Sequence, residues 1–144
     1  MKEKDKTIDY TLRETWQAVA RMYNEEASKY DATMALGFAL LSIDKEGTPS
    51  TALAPKMGME ATSLTRTLKS MEEKGLIVRK KNPSDGRGVI IHLTKLGQQK
   101  RELSKQTVLR FDEVIKQNIS EEKLNTFKEV SETINTLISN RQIY

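Results

Sequence analysis

The stretch from Ala61 to Leu93 constrains the fold of this chain more than any other part of it. It opens with Ala61-Thr62-Ser63-Leu64-Thr65-Arg66-Thr67-Leu68-Lys69, in which Leu64 and Leu68, with Met71 beyond, recur at helical spacing. Small polar and basic residues fill the opposite face. The spacing predicts a helix over Ala61–Lys74, stopped by Gly75 as a left-handed cap. Two strand-like runs follow, Leu76 to Lys81 and Val89 to Leu93, on either side of a polar tip, Asn82-Pro83-Ser84-Asp85-Gly86-Arg87-Gly88. A helix running straight into a basic hairpin with an arginine at its tip matches the grooves of duplex DNA. The helix suits a major groove and the hairpin the neighbouring minor groove.

The flanks are helical. Ile8, Leu12, Trp16, Val19, Tyr23, Ala27 and Tyr30 form one apolar stripe at three- and four-residue spacing. A second helix is expected over Thr33–Ile43, capped by Thr33, with Phe38 and Leu41 facing inward. Gly47 ends the following turn. Thr48 is expected to cap a third, short helix with Pro49 at its first position, where a missing N–H is harmless. Pro55 should distort that helix, which ends near Met57 with Gly58 as the turn residue. Beyond the hairpin, Thr94 caps a long helix to about Asn118, with Leu96, Leu103, Thr107, Phe111 and Val114 as its stripe. Ser120 caps the last helix, with Glu121 and Glu122 at the positive end of its dipole and Leu124, Phe127, Ser131, Ile134, Leu137 and Ile138 along one face.

The expected fold is therefore mainly α with a small β-hairpin wing. A winged helix-turn-helix core at about 33–95 is flanked by long helices at about 7–30 and 95–140, all in a single domain. The outer helices must bury their stripes somewhere. Packing against a second copy would give a homodimer able to meet two half-sites, and an intramolecular bundle in a monomer is the alternative.

Charge supports a polyanion partner. The chain carries +4 overall, but Ala61–Arg101 holds ten Lys or Arg against three Asp or Glu, leaving −3 for the rest. An ordinary solvated face would look the same on charge alone. Cysteine is absent, which excludes disulfides, thiolate zinc sites and thiol-based redox sensing. No apolar run is long enough to span a bilayer, and the start Met1-Lys2-Glu3-Lys4-Asp5-Lys6 lacks the apolar stretch of a signal peptide, so a cytoplasmic location is expected. The chain shows no phosphate-binding loop, nucleophile elbow, HExxH or paired-carboxylate arrangement. No enzymatic activity, cofactor or metal is expected. The single histidine, His92, shares a strand face with Ile90 and reads as structural.

Leu64-Thr65-Arg66 with Leu68, Met71-Glu72-Glu73-Lys74-Gly75-Leu76-Ile77 with Arg79, then Asp85, Arg87 and Leu93-Thr94-Lys95-Leu96-Gly97 together resemble the recognition-helix and wing signature of MarR-family transcriptional regulators. The resemblance runs along nearly the whole chain. It implies a dimeric DNA-binding repressor on a pseudo-palindromic operator. It also implies a crevice where small apolar or aromatic ligands weaken DNA binding. Two positions depart from the pattern: Pro55 interrupts the helix before the recognition helix, and Glu60 stands where a Ser or Asp cap is usual.

The candidate DNA-binding residues are Thr62, Ser63, Thr65, Arg66 and Lys69 on the polar face of the helix, and Arg87 on the wing. Hydroxyls can meet bases or phosphates, and Arg66 can fork onto guanine, clamp a phosphate or pair with Glu72. The cation of Arg87 suits the negative potential of a narrow minor groove. Asp85, as its family match suggests, would orient that guanidinium. Arg79, Lys80 and Lys81 are phosphate-facing or solvated. The resemblance also makes Trp16, Tyr23, Met34 and Phe38 candidates for the ligand crevice, although residues of this kind at helical spacing commonly form plain core. A winged-helix protein-interaction module with no specific DNA target is the alternative function. Its docking face would usually expose more aromatics.

Overall fold

Hydroxyl caps start most of the helices in the computed structural model, which describes residues 2 and 5–144 and, at 85–87, the backbone alone. In chain order the elements are α1 (Ile8–Ser28), α2 (Met34–Ser42), β1 (Thr48–Pro49), α3 (Ser50–Met57) and α4 (Ala61–Glu73), then β2 (Ile77–Asn82), β3 (Asp85–Leu93), α5 (Lys95–Asn118) and α6 (Glu121–Ser139). Thr7, Thr33, Thr94 and Ser120 each accept a backbone N–H three residues on, at 3.0, 3.2, 3.0 and 3.3 Å. The chain divides into two compact units, Met1–Ser104 and Lys105–Tyr144.

In the first unit the three strands form an antiparallel sheet in the order β1-β3-β2. Thr48 pairs with Ile91 and Pro49 with Ile90, while β2 runs against β3 from Ile77↔Leu93 to Asn82↔Asp85. Two expectations are corrected here. Thr48-Pro49 does not open α3: it is an edge strand, and Pro49 precedes the helix with no side-chain cap. The reason lies in the Thr48 hydroxyl, which accepts the Asp44 N–H at 2.8 Å and is buried closing that turn. Pro49, with no N–H to donate, fits an edge. The hairpin tip is also shorter than expected. Asn82 Oδ1 accepts the Ser84 N–H at 3.0 Å, turning the chain at Pro83-Ser84. Asp85 through Gly88 already belong to β3, so Arg87 sits within the strand and not at the turn.

The core gathers Leu36, Ala39, Leu40 and Ile43 with Leu53 of α3, Leu64, Leu68 and Met71 of α4, and Leu76, Ile77 and Ile91 from the wing. On α2 the buried residues are Leu36, Ala39 and Leu40, whereas Phe38 and Leu41 are half-buried, which corrects the inward face expected for that helix. Its sequence, MALGFALLS, is apolar almost all round and offers no stripe to read. Helix α3 continues through Pro55, losing one backbone bond, and ends at Gly58 in the left-handed region as expected. Lys56 Nζ reaches back to the Ser42 carbonyl at 2.6 Å and to Asp44 at 3.2 Å, holding α3 to the end of α2.

The wing closes onto α5. The Thr94 hydroxyl donates to the Gly75 carbonyl at 2.6 Å, and the Thr94 N–H donates to the Leu76 carbonyl at 3.0 Å. Gly97, buried in the first turn of α5, lies so close to that Leu76 carbonyl that an added Cβ would overlap its oxygen. His92 and Ile90 lie over Gly47, which holds φ +100° beneath them. No residue of α1 is buried, and Ile8, Leu12 and Trp16 are exposed one turn apart. In the second unit Phe111, Val114, Leu124, Ile134 and Leu137 are half-buried, while Phe127, Val130 and Ile138 are exposed on α6.

Replacing Gly97 should test the wing closure directly. Gly97→Ala must displace backbone and should destabilise the protein by about 1–3 kcal/mol in chemical denaturation. Gly58→Ala, at a left-handed position with open space around it, should cost only about 1 kcal/mol. Equal losses would contradict the steric account.

Candidate nucleic-acid interface

Helix α4 is amphipathic in the strict sense: Leu64, Leu68 and Met71 are 4%, 4% and 0% exposed. Thr62, Ser63, Thr65, Arg66 and Lys69 all lie on the exposed side. Burying three large apolar groups along one edge fixes which residues the other edge displays. The helix begins at Glu60, whose backbone is extended and whose carbonyl accepts the Leu64 N–H at 3.0 Å, but whose side chain makes no cap. The absence of a Ser or Asp at this position thus has a structural counterpart. The free N–H groups of the first turn are left to solvent or to a ligand.

The exposed groups differ in what they can offer. The Thr65 hydroxyl donates to the Ala61 carbonyl at 2.8 Å, so outward it presents acceptor lone pairs and a methyl group. Arg66 and Lys69 have no ion pair among the described residues, and Glu72 pairs instead with Arg79 of β2, at 3.2 Å. The expected option of an Arg66–Glu72 pair is therefore not realised. Arg79 is committed to tying the wing to α4, whereas Lys80 and Lys81 project from β2 without ion pairs among the described residues. The Arg87 and Asp85 side chains lie outside the described residues, and only their place in β3 is given.

The ligand-crevice candidates are brought together in part. The Tyr23 and Phe38 rings meet edge to face, 5.9 Å between centroids, where α1 crosses α2. The Met34 N–H donates to Asn24 Oδ1 at 3.0 Å, which places Met34 at the same crossing. Trp16 is exposed and lies two helical turns further along α1, about 10 Å away at ~1.5 Å per residue. No spacing signal marks Arg101, whose Nε is the one buried side-chain nitrogen or oxygen without a partner among the described residues. Its Nη2 only grazes the Leu41 carbonyl, at 3.4 Å. Among the described residues no cluster of His, Asp and Glu could hold a metal, and no helix is long and apolar enough to cross a membrane.

Three short helices, the third presenting an uncommitted polar and basic face, with a β-hairpin behind them, define a winged helix-turn-helix protein. The sequence model of the MarR family matches residues 33–89. That match runs from the start of α2 through α4 into the first part of β3. It is similar to a MarR mutant from E. coli complexed with operator DNA, at 26% identity and a TM-score of 0.78, covering 88% of this chain and 92% of that one. The S. aureus MepR–DNA complex has the same fold, with a TM-score of 0.82 at 20% identity over 92% of this chain and 100% of that one. An uncharacterized HTH-type transcriptional regulator of Bacillus subtilis (strain 168), YdgJ, is 31% identical over 88 residues, 61% of this chain and 54% of that protein. The chain thus spans about half the length of the curated relatives it matches.

The uncapped start of α4 carries a prediction. Glu60→Ser supplies the missing hydroxyl acceptor and should raise stability by about 0.5–1 kcal/mol in denaturant titrations. A loss of stability would mean that the Glu60 side chain already serves this helix end.

Proposed function

We propose that the protein is a sequence-specific DNA-binding transcriptional regulator that acts as a homodimer, represses from a pseudo-palindromic operator and is released by a small apolar or aromatic ligand. The observation that carries this reading is the face of α4. Thr62, Ser63, Thr65, Arg66 and Lys69 stand exposed above a fully buried edge, and neither cation among them is paired with a described carboxylate. Arg66 reads base edges or clamps a phosphate, Lys69 and the wing lysines neutralise backbone charge, and Arg87 enters the minor groove with Asp85 orienting it. The exposed Ile8, Leu12 and Trp16 on α1, and Phe127, Val130 and Ile138 on α6, motivate the second copy, since stripes of this kind are ordinarily covered. In such a dimer a ligand seated beside the Tyr23–Phe38 pair biases the spacing of the two reading heads. Nothing in this reading requires catalysis.

Binding should be dimeric and steeply salt-dependent. Each phosphate neutralised adds roughly −0.9 to the slope of log K against log salt. Genomic fragments recovered by the protein and titrated at several salt concentrations supply the test, with light scattering for the assembly. A flat slope favours the protein-interaction module, and a monomer at micromolar concentration removes the two-half-site mechanism.

On the wing, Arg87→Ala should weaken binding by about 1–3 kcal/mol with little change in thermal stability. Asp85→Ala should weaken it as well, although removing a negative charge beside DNA would by Coulomb's law alone tighten it. Tighter binding by the Asp85→Ala protein would dismiss the orienting carboxylate.

For the effector, Tyr23→Ala or Phe38→Ala should abolish release by any compound that quenches Trp16 fluorescence and loosens the DNA complex. If every compound that binds leaves DNA affinity unchanged, control is by protein abundance.

A further inference from the structure

The C-terminal end of α4 is gripped from two sides. On one side, Thr94 takes the Gly75 and Leu76 carbonyls at the start of α5, and Gly97 packs against Leu76. On the other, the Lys74 ammonium crosses to the end of α1 and donates to the Asp31 carbonyl at 2.7 Å, spanning 43 residues of sequence. Asp31 is itself unusual, with φ +54°, a left-handed conformation that non-glycine residues seldom adopt. It ends α1 in a Schellman-type turn, with the Asp31 N–H on the Ser28 carbonyl at 3.2 Å and the Ala32 N–H on the Ala27 carbonyl at 3.1 Å. Just beyond, Asn24 accepts the Met34 N–H while donating to the Ala20 carbonyl at 3.1 Å. The elbow from α1 into α2 is therefore fixed within itself, and Lys74 carries that fixity to α4.

We propose that Lys74 is a positioning residue for DNA reading: its ammonium sets the angle of α4 relative to α1 by holding the Asp31 carbonyl, and it does not contact DNA. The inference rests on the dimeric DNA-binding reading above. Glu72 and Glu73 neighbour Lys74 at the negative end of the helix dipole, which suits an ammonium and repels a phosphate. The lever is long enough to matter. Helix α4 has 13 residues, about 20 Å, so a rotation of ~10° about its C-terminal anchor moves its far end by roughly 3.5 Å. That is about the rise of one base pair. If α1 packs on a second copy, the angle of α4 to α1 decides which half-site separation both heads can meet together.

The test uses the full chain and operator variants with half-site separation changed one base pair at a time. Lys74→Met should weaken binding at the preferred separation roughly fivefold or more. It should change the other separations less, so that the preference flattens, and it should leave the salt slope intact. Lys74→Arg, which keeps a donor of similar reach, should restore the preference. A salt slope reduced by about one with the preference unchanged would make Lys74 a phosphate contact and overturn the proposal. Unchanged binding, or an equal loss at every separation, would overturn it too. Failure of the unmodified protein to bind any DNA is seen before a variant is made, and it removes the regulator reading together with this one.

Discussion

Leu64, Leu68 and Met71 hold one edge of α4 against Leu36, Leu40, Leu53 and the wing residues Ile77 and Ile91, and the rest of the reading head is arranged around that contact. Each such side chain contributes roughly 1.5–3 kcal/mol by leaving water. The same contact serves presentation as well as stability. A helix that buries three residues on one edge cannot roll without exposing them, so Arg66 and Lys69 are held outward by apolar contacts they do not make. The hydrogen bonds at its C-terminal end, through Lys74 and Thr94, then fix the remaining freedom, which is the helix's tilt.

Electrostatics sharpens the site by subtraction. The central segment is rich in cations, but Arg79 is engaged by Glu72, and just before the segment Lys56 is engaged by Asp44. Exposed pairs of this kind contribute little to stability. Among the described residues, Arg66 and Lys69 on the helix and Lys80 and Lys81 on the wing are left without an ion pair. Glu60 adds a negative charge at the start of α4, at the positive end of the helix, where its side chain makes no capping hydrogen bond.

Much of this organisation could be read from residue order, for physical reasons that also explain the failures. The hydroxyl caps at Thr33, Thr94 and Ser120 act over three residues, and the α4 stripe repeats over seven, so both are local and visible. Thr48 carries the same residue type but closes the turn behind it, because Asp44 competes successfully for its oxygen. The inward face of α2 stayed hidden because an almost wholly apolar helix has no polar side to define it. The wing tip was overestimated because glycines at 86 and 88 suggest a loop, whereas β3 includes them and Asn82 still pairs with Asp85 beyond a break in register. For the site, the polar face of α4 was legible, whereas the partner of Glu72 was not, since helix and strand candidates lie within similar reach. The Lys74–Asp31 bond joins positions whose sequence separation carries no signal at all.

The sheet has two edges, and neither can accept a further strand easily. On one side β1 is only two residues long and ends in Pro49, which offers no N–H to an incoming chain. On the other, β2 carries Arg79, Lys80 and Lys81 in succession, so a strand approaching with similar charge is repelled. A small sheet of this kind, left open, would invite edge-to-edge pairing between molecules crowded together. The row of like charge along β2 thus works against pairing between the wings of neighbouring copies, an aversion built into the edge itself.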